Sequence, residues 1–279
     1  MLRDPTSTDT SRVRLRVLTW NIFHGRDFPP NPALFTPRSK LWRVTERDDA
    51  HVQVNRDLFE AFAGIIGGAD WDVALLQECP PRWSRWLART CAANGHQALT
   101  SRNWALPFTS AFAAFNPDLI GSEEGGSNTT LVRSSAIAER RHLVICPYLR
   151  PERRVMAFTR LASGICVANL HASTNPELAV PELRHAAATA TEWAVGSPLV
   201  LGGDFNVRPQ RTPGIFEELR ERGFSGPTAP DSIDHLLAHG LEASAAPRVW
   251  LPEAREVALD GLRLRLSDHA PVEAAFSVR

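Results

Sequence analysis

The sequence predicts an α/β fold in which two β-sheets pack face to face with helices outside. Three observations predict it. Short apolar runs recur along the whole chain and outnumber the helical stretches. Several of these runs alternate apolar and polar residues, as half-buried strands do. The helical stretches fall between strand pairs, where each can cover a sheet from outside. A doubly wound parallel sheet fits less well, because the runs at 155–161 and 165–170 meet across Gly164 as an antiparallel hairpin would.

Residues 1–12 are polar, lack an apolar core and read as a loose tail rather than a signal peptide, leaving one domain expected over 13–279. The run 13–20 opens that domain, with Val13, Leu15 and Val17 alternating with Arg14 and Arg16. Segment 26–45 follows, with four prolines, two phenylalanines and a tryptophan; a loop this long inside a compact domain is either functional or disordered. Residues 52–66 carry apolar side chains at helical spacing. Asp70 and Asp72 cap the entry to a strand at 73–76 and are read as structural. The stretch 82–93 is helical, with Trp83, Trp86 and Leu87 spaced to pack in the core. Apolar runs at 110–115 and 128–133 count among the strands, followed by the hairpin across Gly164. A helix is expected over 181–195, with Pro181 at its first position. A strand at 199–201 and a short helix at 216–222, ending at Gly223, come next. Strands at 233–237, 262–266 and 271–278 complete the chain.

Composition narrows the function classes. The 279 residues carry no net charge and are 43% hydrophobic and 22% charged, the balance of a globular protein rather than a disordered one. A chain of this length can bury roughly three quarters of its unfolded surface. It has no apolar stretch of about 18 residues, so no transmembrane helix is expected. Zero net charge argues against nucleic-acid binding driven by bulk charge. All basic residues but Lys40 are arginines. Arginine suits bidentate phosphate contacts, although GC-rich coding accounts for the bias more plainly. Cys79, Cys91, Cys146 and Cys166 form no CxxC pair, so a zinc site of the usual spacing is not expected. Cys166 lies in an apolar run and should be buried, and a reducing cytoplasmic compartment is the default.

The chemistry lies at the ends of the apolar runs. Asn21, Glu78, His171 and Asp204 each follow one, Asp234 precedes one, and Asp268-His269 stands between the last two. If those ends share one rim, the groups converge into a polar cleft. Glu78 and Asn21 offer the oxygen ligands that Mg²⁺ takes. Asp204 and Asn206, two apart on an extended segment, would point to one side and hold a water. Gly202 and Gly203 before them allow close approach. Asp234 could orient and charge His269, and the imidazolium would stabilise a phosphoryl transition state. Asp268 could complete a metal site. Taken singly, each residue reads more plainly as a turn residue, a cap or a hydrogen-bonded structural group. Together they mark an active site.

These residues carry a resemblance. Thr19-Trp20-Asn21-Ile22, Leu76-Gln77-Glu78, Asn169-Leu170-His171, Gly203-Asp204-Phe205-Asn206 and Ser267-Asp268-His269-Ala270-Pro271-Val272 resemble the endonuclease/exonuclease/phosphatase superfamily, in its motif order. Ile233-Asp234-His235 and Asn128–Arg133 resemble two further strands of that family. The resemblance spans 13–278, and its most specific pieces are the GDxN and SDH strings. It implies a deoxyribonuclease I-like, four-layer α/β sandwich: two packed mixed β-sheets flanked by helices. It also implies divalent-metal hydrolysis of a phosphoester. By that analogy Glu78 is the principal Mg²⁺ ligand, with Asn21 close by and Asp268 assisting; Mn²⁺ is an alternative ion. Asp204 positions or deprotonates the attacking water, helped by Asn206. His171 and His269 contact the phosphate, Asp234 supports His269, and Asn128 touches the phosphate or a water near it. The sequence departs from the family at Ser127 and Val132, where Gly and Ser are usual, and at Ala172, where many members carry Leu.

The leading expectation is a Mg²⁺-dependent phosphodiesterase or nuclease acting on DNA or RNA. Arg154 and Arg208 are the first candidates for substrate phosphate, because they lie nearest the motif strands. A lipid phosphodiesterase of the sphingomyelinase type would instead use the Pro/Phe/Trp segment at an interface. A phosphatase of polyphosphorylated substrates would want more basic residues. A non-catalytic binding protein on the same fold is the reading from another class, and the intact acidic and histidine set counts against it.

Overall fold

The computed structural model describes residues 14–103, 106–133, 135–146 and 152–278. The loose tail expected over 1–12 lies outside them, as does Val13. In chain order the strands are β1 (Arg14–Asn21), β2 (Glu46–Arg47), β3 (Val52–Gln53), β4 (Val73–Cys79), β5 (Asn94–Leu99), β6 (Ser127–Val132), β7 (Ile137–Cys146), β8 (Arg154–Leu161) and β9 (Cys166–His171). They continue as β10 (Leu199–Asp204), β11 (Asp234–His239), β12 (Leu241–Ala243), β13 (Arg248–Val249), β14 (Glu256–Leu259), β15 (Leu262–Arg265) and β16 (Val272–Val278). The helices are α1 (Pro37–Trp42), α2 (Phe59–Gly68), α3 (Ser84–Thr90), α4 (Leu106–Phe115), α5 (Pro117–Ile120), α6 (Pro176–Ala194) and α7 (Pro213–Glu221).

Two mixed sheets form the centre. The larger runs β12-β16-β1-β4-β6-β5, with β13 also on β16; the smaller runs β11-β10-β9-β8-β7. Alternation along the strands explains the layering. Leu15, Val17, Val73 and Leu75 face Val167, Val200 and Leu236 between the sheets. Leu18, Trp20, Ala74 and Leu76 face outward onto Phe62, Ile66 and Leu87 of α2 and α3. On the other side, Phe158, Leu170 and Leu201 meet Leu183, Ala186 and Ala190 of α6 and Phe216 of α7. Central strands covered on both faces read as continuous apolar runs. The result is the expected four layers.

The topology sets the position of the site. Each sheet contains one parallel pair, β1 with β4 and β9 with β10, so the C-terminal ends of these strands fall together. There Asn21 is paired with Gln77, and Asp204 with His171. Strand β11 runs antiparallel to β10 and starts with Asp234 opposite Asp204. Strand β16 runs antiparallel to β1, which places the start of β16, just after Asp268-His269, at the Asn21 end.

Several expected elements differ. The run 110–115 is helical, within α4, where Phe108, Phe112 and Phe115 recur at i, i+4 and i+7 and stay exposed. The expected helix 52–66 begins as strand β3 and turns helical only at Phe59. Helix α6 starts five residues early, at Pro176 behind the Asn175 cap, and Pro181 lies inside it. Pro181 has no N–H to give the Glu177 carbonyl, so the helix carries one gap in its hydrogen-bond ladder just after the first turn. Strand β15 pairs with β14 in a separate hairpin, outside both main sheets. Strands β5 and β7 are not among the expected ones; β7 is an edge strand with exposed Arg140 and Arg141 and half-buried Glu139, the charged edge that blocks further pairing. Trp83 is buried as expected, but Trp86 is 56% exposed. The 26–45 segment is neither disordered nor plain loop. It holds a 3-10 turn at Pro32–Leu34 and α1, whose capping box joins Thr36 and Ser39.

Candidate active site

The strand ends bring Asn21, Glu78, His171, Asp204, Asp234, Asp268 and His269 to one rim. Asp204 is the centre of the cluster. The Asn21 side-chain amide donates to its Oδ2 at 3.0 Å, and His171 Nε2 lies 3.4 Å and His269 Nε2 3.8 Å from the same oxygen. Nδ1 of His269 is 2.8 Å from Asp234 Oδ2. Trp20 fixes the His269 backbone by donating its indole N–H to the His269 carbonyl at 3.0 Å. Ser267 Oγ donates to the Asn21 carbonyl and accepts from the His269 N–H, tying the SDH turn to the end of β1.

Glu78 stands across the cleft, with Oε1 3.9 Å from His171 Nε2 and Oε2 3.3 Å from His24 Nε2. His24 was not foreseen. It lies on the 3-10 turn Phe23–Gly25 and its Nδ1 faces the Gly125 carbonyl at 3.2 Å. Only its place three residues after Asn21 could have signalled it.

Asn206 departs from expectation. The chain does not stay extended after Asp204: Asn206 has φ of 54°. Its backbone N–H donates to Asp204 Oδ1, and its side-chain amide donates to the Ala172 carbonyl, both at 3.0 Å. It therefore braces Asp204 and the loop after His171. Asn128 is fully buried; its amide donates to the Val155 carbonyl at 2.6 Å, and its Oδ1 has no partner. Arg154 is buried at the start of β8 with Nη2 3.3 Å from Glu152, and its Nε has no partner. Arg208 lines a cavity of about 290 Å³ with Asp234, Asp268 and His269.

Charge is distributed unevenly. Burial disfavours charge on His269, but Asp234, Asp204 and Asp268 outweigh it and raise its pKa to about 10. Burial pushes Asp204 up to about 7 against the pull of His269. Burial lowers His24 and His171, and Arg154 lowers His171 further, so both are neutral at pH 7. Glu78 is held near 2: burial opposes its charge, and at the acid pH where they are protonated the imidazoles of His24, His171 and His269 outweigh burial. At neutral pH His269 is the cation among these histidines. Glu78 is an anion whose nearest imidazoles are neutral. Arg26 stands nearby; burial lowers its pKa, opposed by Asp118, Glu78 and Asp268.

A divalent cation fits this donor set. Asp234 Oδ1 is buried with no partner. One ligand atom each from Asp204, Asp234 and His269 lie within 4.8 Å of one another. His269 is a poor member of such a set, because its protonated ring has no lone pair to offer. The carboxylate and amide oxygens of Glu78, Asp268 and Asn21 are the further hard donors of the cluster.

A model of the Endonuclease/Exonuclease/phosphatase family matches residues 18–269. A comparison with curated proteins gives no match. Among solved structures, an endonuclease/exonuclease/phosphatase family protein from Bacteroides thetaiotaomicron superposes with a TM-score of 0.63 at 14% identity, covering 96% of this chain and 99% of that one. A mannosyl-6-phosphatase of the same organism gives 0.61 at 15% identity, over 94% and 99% of the two chains. A humanized D. rerio TDP2 gives 0.57 at 12% identity, over 95% and 99%. At such identities the likeness establishes the fold, and the family match establishes the kinship. The chain belongs to the endonuclease/exonuclease/phosphatase family, whose members hydrolyse phosphoesters.

Proposed function

We propose that the protein is a Mg²⁺-dependent phosphodiesterase, with Mn²⁺ as an alternative ion. The observation that carries this reading is the placement of Asp204 within 4 Å of two imidazoles, one of them charged and held by Asp234. Glu78, Asn21 and Asp268 would hold the ion, which supplies a Lewis acid for a phosphoryl oxygen. Asp204 orients a water and takes its proton, and its near-neutral pKa suits a general base. His269 places positive charge where the phosphate gains negative charge, and Asp234 fixes its ring. Neutral His171 donates a hydrogen bond to a phosphate oxygen. Asn206 holds Asp204 in place through its backbone N–H. Arg208, in the cavity beside Asp234 and His269, would receive a further substrate phosphate, as DNA or RNA would bring, whereas Arg154 lies buried against Glu152. Among the described residues no helix is long and apolar enough to cross a membrane. All four cysteines are free thiols, which supports the reducing cytoplasmic compartment.

The test is hydrolysis of bis(p-nitrophenyl) phosphate with Mg²⁺, Mn²⁺ or EDTA, beside Asp204→Asn. Metal-dependent turnover that falls at least about 100-fold in the variant is expected. Turnover insensitive to EDTA, or a variant within tenfold of the wild type, would overturn the reading. DNA and RNA oligonucleotides in the same panel decide the nucleic-acid substrate.

A further inference from the structure

A second concavity adjoins the cluster on the other side of the Phe23–Gly25 turn. It has a volume of about 690 Å³, in the range of small-molecule sites. Phe23, Phe28, Phe35, Leu41 and Leu119 line it. Phe28 and Phe35 meet at 5.5 Å, and Phe23 meets Phe28 edge-on at 5.8 Å. Phe28, Phe35, Leu41 and Leu119 are 39%, 42%, 53% and 42% exposed, so large apolar side chains gather at one concavity instead of scattering singly.

One wall is shared with the catalytic cluster. The Phe23 N–H donates to Asn21 Oδ1 at 3.0 Å. The Arg26 carbonyl accepts from the Ser267 N–H at 3.0 Å, one residue before Asp268. The Arg26 guanidinium stacks on Phe23 at 3.9 Å, between the carboxylates of the cluster and Asp118 of the pocket. The pocket is also braced. The Asn55 side-chain amide donates to the Ser39 and Lys40 carbonyls and to Asn116 Oδ1, which joins α1 to the start of α5. Gln53 donates to Asp118 at 2.8 Å. A preformed apolar cavity of this kind loses little ordering entropy when it is filled.

We propose that this cavity receives an apolar, aryl-sized substituent of a soluble phosphodiester, with Arg26 on the shared wall as the cation facing its phosphate. The inference rests on the phosphodiesterase reading for the group that is anchored next door. Apolar walls select the substituent, and the adjoining cation and oxygen donors select the phosphate. A nucleic-acid backbone would ask instead for a basic groove.

The experiment compares calorimetric titrations of diphenyl phosphate and dimethyl phosphate into the protein with Mg²⁺. The pair of substitutions Phe35→Ala and Leu41→Ala is the variant, since both side chains are exposed and neither belongs to the cluster. Diphenyl phosphate should bind at least about tenfold more tightly than dimethyl phosphate to the wild type. The variant should lose most of that preference while its dimethyl phosphate affinity stays within about twofold. Equal binding of the two ligands, binding of neither, or a preference that survives in the variant would overturn the inference. So would retention on phosphatidylcholine vesicles without preference among soluble diesters, which would make the apolar rim a bilayer contact. Hydrolysis of bis(p-nitrophenyl) phosphate is read separately. Preference without turnover would keep the pocket and reject the phosphodiesterase reading; turnover without preference would do the reverse.

Discussion

Gly203 shows how narrowly a single residue is determined at the rim. Its φ is +136°, and a Cβ there would lie 1.9 Å from the Leu170 carbonyl oxygen on the neighbouring strand. Strand β10 must pass this close to β9 to bring Asp204 beside His171. Gly203→Ala should therefore cost about 3 kcal/mol or more, since both backbone angle and packing oppose it. Gly64 in α2 is the control: nothing lies within 4 Å of its Cβ position, and Gly64→Ala should stabilise by about 0.5–1 kcal/mol. Urea midpoints measure both, and equal midpoints for the two variants would refute the account. At this scale much of the site was legible in the sequence. Asp204, Glu78, His171 and His269 stand at the ends of apolar runs, where a polar residue is conspicuous. His24 was not, because it belongs to no run and reaches Glu78 only through a left-handed turn with φ of 52°. The conformation at Asn206 escapes the sequence for a similar reason: spacing cannot show that the chain leaves the extended conformation after Asp204.

The loop from β9 into α6 is an element fixed by one buried acid. Glu182, on the second turn of α6, accepts from the Ser173 N–H and the Ser173 Oγ, both at 2.7 Å. Ser173 is buried two residues after His171, so the helix positions the imidazole through this loop. Glu182→Ala leaves the Ser173 N–H and hydroxyl without their acceptor and should cost about 2 kcal/mol. Glu182 is a positioning residue, so kcat should fall severalfold while Glu182→Gln, which keeps one acceptor, recovers part of it. Loss of stability with kcat unchanged would show that His171 does not depend on the loop. This contact also explains why α6 begins before Pro181: Glu182 needs a formed helix around it. The other misjudged elements have equally physical causes. Phe108, Phe112 and Phe115 carry a helical period that a short apolar window conceals. Strand β7 hides behind its charges because an edge strand is selected to look unlike a strand on its open face.

The two sheets are joined by more than apolar packing. Gln77 donates to Asn169 Oδ1 at 2.7 Å and to Thr19 Oγ1 at 3.1 Å, and Asn169 donates to the Leu76 and Thr129 carbonyls. Gln77 and Asn169 belong to the strings that carry the family resemblance, yet their work is to clamp one sheet onto the other beneath the rim that carries Asp204 and His171. That four-layer arrangement was legible from the order of motifs, whereas strand periodicity alone gave only two sheets and outer helices. Two buried histidines couple this architecture to pH. His96 on β5 reaches Thr159 on β8 across the sheets at 2.8 Å. In His235, Nδ1 accepts from the Thr228 N–H and Nε2 faces the Val207 carbonyl, both at 3.2 Å, so the ring is neutral with its proton on Nε2. Burial lowers each to about 4, against about 6.5 in an unfolded chain. As the pH falls through 6.5 the unfolded chain takes up these protons first, so their contribution to stability is lost down to about pH 4 and is constant below it. The loss is at most about 3 kcal/mol per imidazole. Asp27 acts oppositely: burial raises it to about 8, so it adds stability as the pH falls from 8 toward 4. Total stability therefore mixes the two trends, and the difference between wild type and His235→Gln isolates one of them. The variant should be less stable at pH 7, because it loses a fitted ring against Phe205 and Phe216. The gap should then narrow by about 1 kcal/mol or more between pH 6.5 and 4. Urea unfolding at three pH values measures it. A constant gap would mean that His235 titrates alike in the folded and unfolded chain, which its neutral tautomer between Thr228 and Val207 does not allow.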